Sequence, residues 1–167
     1  MHTKSLEKLF ELLKEHEGYR AKPYFCSREK LTIGYGRNLE DNGIRPDEGD
    51  LMLENDLSQC HLELKSKFRW FDALPDDAKI VLIDMCFNLG LAGLLKFKKT
   101  LAAFEAQDWK VAATEMMDSY WANQVGRRAT NLRDMVLGLE DIPSYNQLNN
   151  ELSRLKEQLH SLQGNPC

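Results

Sequence analysis

The chain has 167 residues, 43% hydrophobic and 29% charged, an ordinary balance for a soluble globular protein and enough for one domain with a real core, folded in one or two lobes. Its net charge is −4, with −3 on residues 1–60 and +2 on residues 91–137. That mildly basic middle falls far short of the basic stripe of a nucleic-acid binder.

From the front, residues 1–14 place charges every few positions with no uninterrupted apolar stretch, so they read as neither a signal peptide nor a membrane span. The expected location is therefore cytoplasm. Leu6, Leu9, Phe10 and Leu13 follow one helical stripe, and Gly18 supplies a C-terminal stop, which puts Glu17 in the last turn. The negative end of the helix dipole disfavours an ionised carboxyl there, the direction a general acid needs. Pro23 to Cys26 and Leu31 to Tyr35 read as two short strands joined by a turn over residues 27–30. Gly34 and Gly36 leave one face of the second strand bare, which suits a bulge, tight packing, or close approach by another chain or a ligand.

Asn42-Gly43 predicts a turn, and Pro46 with Asp47 and Glu48 predicts the start of a long helix running to about Phe68. Trp70 to Pro75 breaks it. The next segment, around Ile80 to Leu89, is apolar nearly all round and predicts a buried central helix; Asp84 on it requires a partner if enclosed. Gly90 and Gly93 are expected to end it. Thr100 and Asp108 are expected helix N-caps, Trp121 to Arg128 reads as a loop, and a further helix leads to Gly138. Tyr145, Leu148, Leu152, Leu155, Leu159 and Leu162 alternate steps of three and four, a heptad seam that either packs back on the domain or pairs two chains. Cys26, Cys60, Cys86 and Cys167 form no CxxC pair and have no histidine at ligand spacing, so no metal site or disulfide framework is expected.

One constellation stands out. Eight residues separate Glu17 from Cys26, and five separate Cys26 from Thr32, which opens Thr32-Ile33-Gly34-Tyr35-Gly36. With Glu17-Gly18, Tyr24, Phe87-Asn88-Leu89-Gly90, Trp109, Asn123-Gln124 and Gly126-Arg127-Arg128, this spacing resembles the phage-type lysozyme (endolysin) family, over roughly residues 5–138. The resemblance implies an α+β, mainly helical, lysozyme-like fold: a small N-terminal β-hairpin or sheet lobe, a long helix, and a helical C-terminal lobe. A catalytic domain over 1–140, with its cleft between the lobes, would then precede a helical tail over 141–167.

It also implies hydrolysis of the β-1,4 bond between N-acetylmuramic acid and N-acetylglucosamine in peptidoglycan. No cofactor is implied, and a separate holin-like, membrane-permeabilising protein would give access to the wall. Glycosidic cleavage needs a proton for the leaving oxygen and a nucleophile or water on the opposite face of the sugar. Glu17 would be the acid and Thr32 would hold the water. Cys26, where the family more often has aspartate, would polarise that water or attack the anomeric carbon. An ordinary thiol stays protonated at neutrality unless Arg28, Lys30 or another cation lowers its pKa. By the same resemblance Asn38, Phe87 and Thr100 would contact substrate, Arg37 stands where relatives often have histidine, and Arg127 and Arg128 would meet peptide carboxylates or, preferably, fix the C-terminal lobe. A lytic transglycosylase and a non-catalytic wall-binding or virion component are the rival readings.

Overall fold

The computed structural model describes residues 3–140 and 151–159. The chain divides into two compact units, residues 1–55 and 56–167. Its small antiparallel sheet and many helices give the α+β, mainly helical class that the resemblance implied.

The first unit opens with α1 (Thr3–Glu17), which ends where expected. Gly18 takes φ +65° and its N–H donates to the Lys14 carbonyl at 3.2 Å, a left-handed stop that a side chain would resist. The stripe of Leu6, Leu9, Phe10 and Leu13 is in place but exposed. Three antiparallel strands follow in the order β1 (Arg20–Phe25), β2 (Leu31–Gly34) and β3 (Arg37–Asn38). Pro23 is tolerated because β1 is an edge strand with a register irregularity between Arg20 and Tyr24. The β1–β2 turn closes through Cys26 N–H to the Lys30 carbonyl at 3.0 Å and Glu29 N–H to the Cys26 carbonyl at 2.9 Å.

Strand β3 was not foreseen: two residues carry no periodicity. Nor was α2 (Leu39–Asn42), a single turn ahead of the expected Gly43 reversal. Helix α3 (Pro46–Lys67) matches its prediction closely. Pro46 opens it, and Glu48 accepts from Arg45 N–H at 2.8 Å, one arm of a capping arrangement. The boundary between the units falls within this helix.

The second unit is helical. A 3-10 turn (Phe71–Ala73) leads into α4 (Asp76–Leu94), then α5 (Lys98–Ala106), α6 (Trp109–Met117), α7 (Tyr120–Val125) and α8 (Arg127–Leu137). Val81, Leu82 and Met85 of α4 are fully buried with Phe104, Met116 and Val136, so α4 is the central helix anticipated, although Ile80 and Phe87 on it stay exposed. Asp84 has its partner: Arg128 Nε donates to Asp84 Oδ1 at 2.7 Å, an ion pair between α4 and α8 that gives Arg128 the structural role preferred above. The tryptophans also lie here. Trp70 stacks on Phe68, Trp109 meets Phe104 edge-on, and the Trp121 indole N–H donates to Asn88 Oδ1 at 2.7 Å.

Three expectations are corrected in this unit. Gly90 does break the helix, at φ 68° and ψ 159°, but Gly93 does not end the segment, which resumes as helix beyond that kink and runs to Leu94. Thr100 does not cap α5, which begins at Lys98 and buries Thr100 in its first turn. The stretch 121–128 is not a loop: Ser119 accepts from Ala122 N–H to cap α7, Trp121 and Ala122 are buried, and Gly126 at φ +54° turns the chain into α8. Asp108 does cap α6, accepting from Val111 N–H at 3.1 Å. Of the leucine seam, Leu152, Leu155 and Leu159 lie on a helical stretch over 151–159 and are exposed; Tyr145, Leu148, Leu162 and Cys167 lie outside the described residues.

Candidate active site

Glu17 is the last residue of α1, and the left-handed Gly18 leads the chain from it into β1. Its carboxylate rests against Gly36. A Cβ on Gly36 would stand 3.2 Å from Glu17 Oε2 and 3.7 Å from its Cδ, in a backbone already at φ +79°. The close approach that the bare strand face suggested is thus made by the candidate acid itself. Gly34, at φ +63°, has nothing within 4 Å of its missing Cβ, so its requirement is conformational.

These two glycines make a matched test. Gly34→Ala and Gly36→Ala are each expected to cost about 1–2 kcal/mol of backbone strain, read by urea denaturation. Only Gly36→Ala displaces the Glu17 carboxylate, so any activity that depends on that carboxyl is expected to fall at least about tenfold further than in its partner, a loss typical of misplacing one reacting group. Equal activity in the two variants would separate Gly36 from the position of Glu17.

Cys26 follows β1, and Thr32 opens the facing stretch of β2, where it pairs with Tyr24 of β1 and with Asn38 of β3. Thr32 is buried, and its hydroxyl donates to the Lys30 carbonyl at 2.9 Å. The half-buried Cys26 thiol is held below the usual thiol range. Backbone hydrogen bonding from Arg28 is the largest cause and that from Lys30 the next; partial desolvation opposes them, and the Thr32 hydroxyl adds to them. The neighbours expected to lower it, Arg28 and Lys30, are therefore the right residues acting through different groups: their main chain, with no contribution from their cationic ends. Lys30 instead pairs with Asp41 at 3.1 Å. The turn converts a thiol into a group that carries negative charge more readily.

Cys60 and Cys86 are free thiols as well, but Cys86 is buried and pushed up to about 12 by desolvation and by Cys60 beside it. Among the described residues no cluster of His, Cys, Asp and Glu is placed to hold a metal.

The other candidates are placed as follows. Asn38 is the N-cap of α2, its Oδ1 accepting from Asp41 N–H at 3.0 Å and its Nδ2 donating to Asp41 Oδ2 at 2.9 Å. Arg37 does form an ion pair: it donates to Glu48 Oε1 at 2.7 Å and to the Gly43 carbonyl at 2.9 Å, tying β3 to α3. Nothing in the spacing of Arg37 and Glu48 announced that link. Phe87 and Thr100 belong to the second unit. Phe87 is exposed on α4, and Thr100 borders a cavity of about 380 Å³ with Lys96, Lys99, Glu115 and Ser119. An aromatic pair passed unnoticed in the sequence: Tyr19 and Tyr35, ring centroids 5.2 Å apart, flank the Glu17–Gly36 contact in the chain.

Comparison with known proteins gives a match to the phage lysozyme family over residues 14–135. Among individual relatives, the chain is similar to the pre-baseplate central spike protein Gp5 of Enterobacteria phage T4, 26% identical over 156 residues, covering 76% of this chain and 27% of that protein. The chain thus spans about a quarter of the spike protein's length. It is also similar to two proteins of Dictyostelium discoideum. Probable T4-type lysozyme 2 is 24% identical across 74% of this chain and 90% of that protein. Probable T4-type lysozyme 1 is 28% identical across 56% of each.

Proposed function

Because the chain belongs to the phage lysozyme family, whose chemistry is glycoside hydrolysis, we propose that it cleaves the β-1,4 bond between N-acetylmuramic acid and N-acetylglucosamine in bacterial peptidoglycan. One observation carries the reading. A carboxyl at a helix's negative end is seated on Gly36, and a thiol disposed to ionise hangs from the same small sheet. Glycosidic cleavage needs a group to protonate the leaving oxygen and a nucleophile or base on the opposite face of the sugar, and these two residue types can supply them.

In this scheme Glu17 delivers its proton to the bridging oxygen as the bond from the anomeric carbon breaks. Water attacks that carbon, and Cys26 Sγ accepts the water's proton. Thr32 is the proposed holder of that water, its hydroxyl lying within reach of both the Lys30 carbonyl and the Cys26 sulfur. Asn38, Phe87 and Thr100 are the proposed substrate contacts. The biological setting that fits is lysis of a bacterial host at the end of a phage cycle, the enzyme waiting in host cytoplasm until a holin-like protein opens the membrane. None of the described helices is long and apolar enough to cross a membrane. The chain would act as a monomer, or as a dimer paired through Leu152, Leu155 and Leu159.

Similarity to a phage spike protein supports a second setting, in which the same domain is a virion component. Mass spectrometry of digested sacculi tests the chemistry in either case. Hydrolysis predicts reducing muramic ends; anhydro ends, lighter by one water, would identify a lytic transglycosylase instead.

A further inference from the structure

Helix α1 presents two stripes. Phe10, Leu13 and Glu17 follow one, and Lys8, Leu12 and Glu15 follow another on roughly the opposite side of the helix, at about 100° per residue. The second stripe borders an open groove of about 550 Å³ in the first unit, which Tyr19 and Tyr35 also line. That volume falls within the roughly 300–1,000 Å³ of small-ligand sites.

The groove has the composition of a saccharide site. Its two rings are tilted at 48° to one another and exposed, Tyr19 at 66% and Tyr35 at 44%, so much of the pair remains open to solvent. An apolar ring face matches the C–H face of a pyranose, while hydroxyl and acetamido groups on its rim need polar partners. The groove supplies them: Lys8 and Glu15 form no ion pair or hydrogen bond among the described residues, and neither tyrosine hydroxyl is engaged there. Glu11 and Lys14, which also line it, pair with each other at 3.4 Å.

We propose that this groove, which runs along the side of α1 opposite the Phe10–Leu13–Glu17 stripe, is a second glycan-binding site that holds amino-sugar polymer against Tyr19 and Tyr35. The choice of an amino-sugar polymer rests on the muramidase reading above; the groove itself does not require catalysis. The site would keep the enzyme on the wall between cleavage events and raise the local concentration of strands for the other side of α1.

Binding of the full chain to peptide-free chitin beads and to purified sacculi, in a Glu17→Gln background so that no strand is cut, tests the proposal. Tyr19→Ala is expected to raise the half-saturating concentration about tenfold on both supports, Tyr19→Phe to leave it within about twofold, and Leu12→Arg, at an exposed position in the groove, to act like Tyr19→Ala. Unchanged binding in both Tyr19→Ala and Leu12→Arg would overturn the site. So would loss on sacculi with no binding to chitin in any variant, which would make the ligand wall peptide. Failure of the muramidase reading would show separately, as sacculi bound normally by the groove yet never digested by the protein with Glu17 intact.

Discussion

Replacing Glu17 with glutamine is expected to slow clearing of permeabilised Gram-negative cells by about 10²- to 10⁴-fold, the range for removing a general acid. Glutamine keeps the size and the contact with Gly36 but has no proton of suitable acidity to give the leaving oxygen. Since Glu17 ends α1 and its side chain makes no ion pair or hydrogen bond among the described residues, circular dichroism and the urea midpoint should hardly move. Glu17→Asp offers a finer reading: it retains an acid but draws it back from Gly36, so its rate should fall between the two. A Glu17→Gln protein that clears cells at the original rate would move the acid elsewhere in the chain.

The second large effect concerns Cys26. A thiol held down by main-chain donors should react with iodoacetamide at lower pH than an ordinary cysteine, and occupied substrate should shield it. Cys86, raised and buried, should remain silent over the same range. Activity that depends on the thiolate is fully present above the folded-state pKa and falls as pH drops through it. Because that pKa is lowered by folding, its contribution to stability has the same sign, present above the unfolded thiol's range and lost as pH falls through the folded value.

Cys26→Ser, with a hydroxyl that stays protonated throughout, should lose most of the rate. Cys26→Asp should restore much of it and carry the acidic limb of the pH profile toward the carboxylate range, near 4. Full activity in Cys26→Ser would reduce Cys26 to a spectator. A covalent sugar adduct on Sγ, trapped by rapid acid quench, would exchange its role from base to nucleophile.

How far these features could be read from residues alone depended on whether the signal was local. The end of α1 was legible because glycine takes up Gly18's left-handed backbone most readily, and the hairpin because its turn separates two short extended runs. Helix α3 was legible because Pro46, Asp47 and Glu48 are start signals in their own right. The failures share a different origin. Strand β3 and helix α7 are too short to show a period, and their conformations are set by partners: Thr32 and Ile33 across the sheet, and the packing of Trp121. Residue types announce side-chain charge but not the direction of main-chain N–H groups, so the cationic ends of Arg28 and Lys30 are visible in the sequence while the backbone groups that act on Cys26 are not. Asn38 shows the same limit, since its capping bonds to Asp41 depend on a one-turn helix that no pattern revealed.

The distribution of indoles has a practical corollary for every variant above. All three tryptophans, Trp70, Trp109 and Trp121, belong to the second unit, while the first contains only tyrosine and phenylalanine. Intrinsic emission excited at the red edge therefore reports the helical half and is blind to the hairpin bearing Glu17 and Cys26. A melt followed by that signal would register a lesion at Gly36 as silent even if the sheet had already come apart. Tyrosine dichroism, or an indole introduced at Tyr19, supplies the missing channel.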